Sequence, residues 1–164
     1  MMNRLSSFMV LVTIALAWPA GKNLGAQTVD QWTEIQQLQA DLKADRQAVV
    51  ATNLPLTEGE ARDFWPVYKE YRSEVERLGD RLATLITAYA ASFGTLTDEK
   101  ADSYVKELLA IERDKITIRE KHLPKVRAVL PAIKAARFLQ IENKLDAVVN
   151  VTLASEIPLV PVKK

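Results

Sequence analysis

Three observations predict an all-α fold for this chain of 164 residues: a helix-start signal that occurs twice, a long amphipathic run behind each copy, and breaks that divide the chain into four such runs. The two starts are Leu56-Thr57-Glu58-Gly59-Glu60-Ala61 and Leu96-Thr97-Asp98-Glu99-Lys100-Ala101. Thr57 and Thr97 fit the N-cap position, where a hydroxyl accepts from a backbone N–H that the first turn leaves unpaired. Glu60 completes a capping box with Thr57, and Asp98 and Glu99 suit the positive end of the helix dipole. Leu56 and Leu96, just before each cap, can staple the chain entering the helix.

Residues 1–26 have the pattern of an export signal: Arg4 is basic, Leu5 to Trp18 are almost all apolar, and Leu24-Gly25-Ala26 ends on a small residue suited to cleavage before Gln27. The apolar stretch of 14 residues falls short of the ~20 that span a bilayer as a helix. An uncleaved N-terminal anchor is the alternative. Cleavage takes Arg4 and Lys22 from the 22 basic residues and nothing from the 21 acidic ones, leaving 20 against 21 and a charge of −1. A nearly neutral chain has no net electrostatic drive toward nucleic acid or an anionic membrane. The expected organisation is a signal at 1–26, one helical domain at 27–156 and an extended apolar tail at 157–164, exported to the periplasm or beyond. There is no cysteine, so disulfides and thiolate chemistry are excluded.

Breaks at Asn53-Leu54-Pro55, Ser92-Phe93-Gly94-Thr95 and Leu130-Pro131 place helices near 29–51, 57–91, 97–129 and 132–154. In the second helix, Phe64, Tyr68, Tyr71, Val75, Leu78, Leu82, Leu85 and Tyr89 alternate by four and three, a heptad seam that needs a partner helix along its length. The third offers Tyr104, Leu108, Ile111 and Ile118, with Lys115 and His122 interrupting the rhythm, and the fourth offers Phe138, Ile141, Leu145 and Val148. The first is weaker, with Ile35, Leu38, Leu42 and Val49. The short link between the second and third helices favours an antiparallel hairpin. Pro66 and Pro124 should bend its arms. Thus the expected architecture is a long, bent antiparallel hairpin with flanking first and fourth helices. Since a thin hairpin cannot bury both faces, Trp65, Ile86, Leu109, Ile116, Leu123 and Val126, beside the seams, await another helix, a second copy or a ligand.

Leu54-Pro55 before Ala61-Arg62 and Phe64 is echoed by Leu130-Pro131 before Ala136-Arg137-Phe138, with a spacing that differs by one residue. The two threonine starts, together with the looser third stretch from Leu130 to Gln140, resemble the LTxxQ-motif family, the Spy/CpxP-type periplasmic helical proteins. The resemblance covers roughly Leu54 to Leu145. Glu60 and Lys100 stand where that family has glutamine, and Pro131 stands where it has threonine. The resemblance implies a curved all-α cradle, often dimeric, that binds unfolded envelope proteins without ATP or reports envelope stress to a sensor.

The residues themselves favour binding over catalysis. Phe64, Trp65, Tyr68 and Tyr71 could form a client-binding aromatic patch, extended by Ile86, Leu109 and Ile116, although residues at helical spacing are more often core. Carboxylates such as Glu70, Glu74, Glu107 and Glu112 lie among lysines and arginines as on a solvated, ion-paired helix face. The basic run Arg113, Lys115, Arg119, Lys121, Lys125 and Arg127 is interrupted by Asp114 and Glu120 and suits a salt-bridged surface. No serine lies in a nucleophile-elbow context and no glycine-rich phosphate loop occurs. His122 with Glu112, Asp114 or Glu120 is a poor transition-metal set, lacking a second histidine or cysteine. The expectation is therefore a non-enzymatic protein without a cofactor or metal, whose partners are unfolded or folded envelope proteins and a second copy of itself, with no integral membrane span after cleavage. A regulatory role toward an envelope-stress sensor is the alternative, and metal handling a third.

Overall fold

The computed structural model describes residues 46–162, and among them the chain forms helices and no strand. The export-signal reading of 1–26, the start of the first helix and the last two residues of the tail lie outside the described residues. The described part of α1 covers 46–53 and is followed by α2 Glu58–Ser92, a short 3-10 turn at Phe93–Thr95, α3 Asp98–Val129 and α4 Ala132–Glu156. The fold is all-α, as the periodicity predicts. No helix among the described residues is long and apolar enough to cross a membrane.

The helix starts form as their residues dictate. Thr57 Oγ1 accepts from the Glu60 N–H at 3.3 Å while Glu60 Oε2 accepts from the Thr57 N–H at 2.8 Å, a closed capping box. Thr97 Oγ1 accepts from the Lys100 N–H at 3.4 Å, but no box closes, because the lysine side chain has no acceptor for the Thr97 N–H. At α4 the cap is Pro131, with no side-chain hydrogen bond. Both long helices run on through their prolines. Each proline leaves the carbonyl four residues earlier, of Arg62 and Glu120, without its helical donor.

α2 and α3 form the antiparallel hairpin and pack closely along their length, whereas α4 meets α2 through large side chains. Phe138 of α4 has its ring 5.4 Å from Phe64 and 5.6 Å from Tyr71, both edge-on. Val50 and Leu54 close this end from α1, and Val126 and Leu130 from α3, so the main core lies where all four helices meet. The two Leu-Pro boundaries come together here. Leu54 and Leu130 are both buried, Phe64 faces Phe138, and Arg137 Nε donates to the Asn53 carbonyl at the end of α1 at 2.6 Å.

Toward the other end the core narrows to Ile86 and Leu153, with Leu82, Val149 and Ile157 around them. The hairpin turn is held by hydroxyls: Tyr104 donates to the Ala88 carbonyl at 2.9 Å and lies 2.9 Å from Ser92 Oγ. Among its described residues the tail docks at its start, where Ile157 is half-buried and Tyr89 Oη donates to the Pro158 carbonyl at 2.9 Å. Leu159 and Val162 are exposed.

Two seam assignments need correcting. Val148 and Leu108, expected inside, are 54% and 43% exposed. On α4 the buried stripe instead runs through Phe138, Ile141, Glu142 and Leu153, with Asp146 and Val149 half-buried on the same face. On α3 the interruptions belong to the seam: His122 is 1% exposed and Lys115 is half-buried.

Candidate functional site

The aromatic patch expected to meet clients divides in the structure. Phe64, Tyr68 and Tyr71 are core residues, and Ile86 is buried beneath Leu153 and Ile157. A client could reach these four only by displacing other helices. Trp65 is half-buried, its ring edge-on to Phe64 and Tyr68, and borders an open groove with Pro66, Lys69 and Arg46. Leu109 and Ile116 are 54% and 56% exposed. Thr57, Glu60 and Thr97 serve as helix caps, and Glu60 also accepts from Lys134 Nζ of α4 at 2.6 Å. Glu60 thus ties the start of α2 to α4. Lys134, with the Thr57 N–H, holds the Glu60 carboxyl below its ordinary value.

Leu109 and Ile116 belong to a longer exposed row. Val105, Leu108, Leu109, Ile116 and Leu123 are all exposed, and on a helix of 3.6 residues per turn they fall on one face. From Val105 to Leu123 the row extends about 27 Å at 1.5 Å per residue. Glu112, also exposed, interrupts the row between Leu109 and Ile116, and Asp102, Arg113 and Glu120 border it, so the face carries both signs.

Beneath this surface lies a charge network that the sequence reading missed. Glu142 is fully buried, and its Oε2 accepts from Arg46 Nη1 at 3.0 Å and, at 3.4 Å, from both Arg72 Nη1 and Tyr71 Oη. Asp146, one turn on, accepts from Arg46 at 2.6 Å and Arg119 at 2.7 Å, with Lys115 Nζ at 3.0 Å. All four helices contribute. Burial pushes the Glu142 carboxyl above its usual range against the opposing pull of Arg46 and Arg72. Asp146 is also desolvated, but Arg46 and Lys115 outweigh that and hold it below its usual range. Burial, with the Glu142 charge adding to it, lifts the Tyr71 hydroxyl to about 12. A cavity of about 120 Å³ beside Asp146 is lined by Arg72, Val75, Leu82, Ile111 and Val149 among others.

The ion pairs expected within helices are largely between them. Lys121 Nζ donates to Glu74 and Lys125 Nζ to Glu70, both at 2.6 Å, and Arg81 donates to Glu107 and Asp114. In the basic run of α3, Lys115, Arg119, Lys121 and Lys125 are salt-bridged, with acceptors on α2 and α4 rather than the interleaved Asp114 and Glu120. His122 does not meet Glu112, Asp114 or Glu120. Its Nε2 lies 3.2 Å from Glu74 Oε1, and its ring stands edge-on to Tyr71 with centroids 5.7 Å apart. The Lys125 ammonium lowers the Glu70 carboxyl, and that of Lys121 lowers Glu74.

No protein family, curated protein or solved structure matches this chain.

Proposed function

We propose that this chain is an exported, non-enzymatic binding protein of the Spy/CpxP type that covers apolar segments of unfolded envelope proteins without ATP. The observation that carries this reading is the exposed row from Val105 to Leu123 on α3. An apolar row at this exposure, about 27 Å long, interrupted by Glu112 and bordered by charge of both signs, suits short apolar segments in general more than one charged partner. The contact surface is therefore assigned to α3, with Leu109 and Ile116 at its centre, and the aromatic residues of α2 are assigned to the scaffold. Trp65, at the edge of its groove, is a secondary contact. Binding through a shallow row is modest in affinity and quick to exchange, as a holding chaperone requires.

The test is suppression of aggregation of two unrelated unfolding proteins, without ATP, by the purified chain at up to equimolar ratio. The wild type should suppress both. Leu109→Asp with Ile116→Asp should abolish suppression while leaving helicity and unfolding temperature unchanged, and Trp65→Ala should weaken it less. Failure of the wild type on both proteins would sink the general chaperone reading, and full activity of the double variant would remove α3 from it.

A further inference from the structure

We propose that Glu70, Glu74 and His122 form a binding site for one divalent transition-metal ion on the seam between α2 and α3. Glu70 and Glu74 are separated by four residues and share one face of α2, and His122 approaches them from α3. One ligand atom of each of the three side chains lies within 4.8 Å of the others. Ligand atoms around a tetrahedral ion bound at about 2.1 Å stand about 3.4 Å apart. The half-buried Glu74 and exposed Glu70 side chains can make up that difference by rotation.

His122 is the residue that points to a ligand. It is 1% exposed, yet neither ring nitrogen has a well-formed hydrogen bond: Nδ1 has no partner, and Nε2 has only the 3.2 Å approach to Glu74 Oε1. Buried polar groups are nearly always paired, and an orphan in a well-packed seam calls for an explanation. A metal ion between Nε2 and the two carboxylates gives Nε2 its partner, while Nδ1 stays unpaired. The edge-on Tyr71 ring packs against the imidazole, so the ligand is positioned before the ion arrives.

The donor set selects the kind of ion. One imidazole nitrogen with two carboxylates suits zinc, cobalt or nickel, whereas calcium and magnesium favour oxygen throughout and copper(I) favours sulfur. Three protein ligands leave a fourth position for water or an incoming group. Lys121 and Lys125 are the competitors, each with its ammonium 2.6 Å from one carboxylate. Their side chains are 52% and 39% exposed, so both can turn into water when the ion binds.

The experiment is titration of the purified chain with zinc chloride by calorimetry, with cobalt(II) as a spectroscopic reporter. Wild type should bind one ion per chain, give visible cobalt bands of a four- or five-coordinate site, and ignore magnesium at the same concentration. Glu70→Gln, at an exposed position that leaves the fold intact, should weaken binding at least about tenfold, and His122→Gln should abolish the cobalt bands. Lys125→Met should tighten binding, because it removes a competitor without touching a ligand. Absence of saturable one-to-one binding, wild-type affinity in Glu70→Gln, or weaker binding in Lys125→Met would each overturn the proposal. The glutamine variant at Glu70 decides the matter even if His122→Gln fails to fold.

Discussion

One seam runs the length of α2, and its two halves are buried to different depths. In the first half, Phe64, Tyr68 and Tyr71 are 0%, 3% and 2% exposed and Val75 is half-buried, while in the second Leu78 is buried but Leu82, Leu85 and Tyr89 are only half-buried. The heptad pattern is equally regular in both. The difference comes from what covers it: α1, α3 and α4 converge on the first half, whereas the second has α3, the end of α4 and the first residue of the tail. Periodicity therefore tells which face of a helix turns inward, while depth of burial depends on how many other elements reach that face.

The largest test of this contrast is truncation in each core. Phe138→Ala removes a ring that meets Phe64, Tyr68 and Tyr71, and should cost about 4 kcal/mol. Ile86→Ala, in the small distal cluster, should cost about 2 kcal/mol. Urea unfolding of the two variants measures both. Equal losses would mean that the distal cluster is as tightly enclosed as the main core, and the contrast between halves would fail.

The buried charge network stands between the two halves and gives the next effect. Asp146→Asn weakens three cation contacts at once and should cost about 3 kcal/mol near neutral pH. Because the folded-state value of Asp146 is lowered, its contribution is complete above the ordinary unfolded value of about 3.9 and is lost as pH falls through the lowered one. The gap between wild type and Asp146→Asn should therefore be constant near neutrality and close in acid. Glu142 has the opposite sign. Its raised value favours the folded state below the unfolded value of about 4.3, and that advantage fades as pH rises through the raised value. Wild type should thus lose stability relative to Glu142→Gln over that rise. Unfolding free energies measured from pH 3 to 8, roughly the range in which carboxylates titrate, separate the two slopes. Parallel curves for both variants would show that the network behaves as one group.

Helix ends were legible in the sequence because their causes are local: a threonine cap, a proline, a glycine. The second helix, expected over 57–91, is found at Glu58–Ser92, and the third, expected over 97–129, at Asp98–Val129. The charge network was not legible, since Arg46, Arg72, Lys115, Glu142 and Asp146 lie far apart in the chain and each looks locally like part of a solvated face. One signal was present: Glu142 and Asp146 follow Phe138 at steps of four, on the buried stripe of α4. His122 was visible only as a break in the rhythm of α3. A polar residue at a seam position with no acid of its own helix against it directs attention to the facing helix, where Glu70 and Glu74 stand.

The smallest test concerns the two caps, which share a sequence signal but belong to opposite ends of the molecule. Thr57 anchors the enclosed end through two reciprocal bonds, and its partner Glu60 is further held by Lys134. Thr97 anchors the open end through a long bond from the Lys100 N–H, with no reciprocal bond from the lysine side chain. Thr57→Ala should cost about 1 kcal/mol and Thr97→Ala about 0.5 kcal/mol in global stability. Amide exchange should invert that order locally. Around Thr97 the turn is held by a few hydroxyl contacts and no large core side chain, so losing the cap lets residues 93–101 open without global unfolding. Around Thr57 the helix start is locked to α4, so exchange there should follow global stability alone. If amides near Thr97 in Thr97→Ala exchanged no faster than in wild type, the distal end would not be an independently opening unit, and the graded burial of the seam would have no dynamic counterpart.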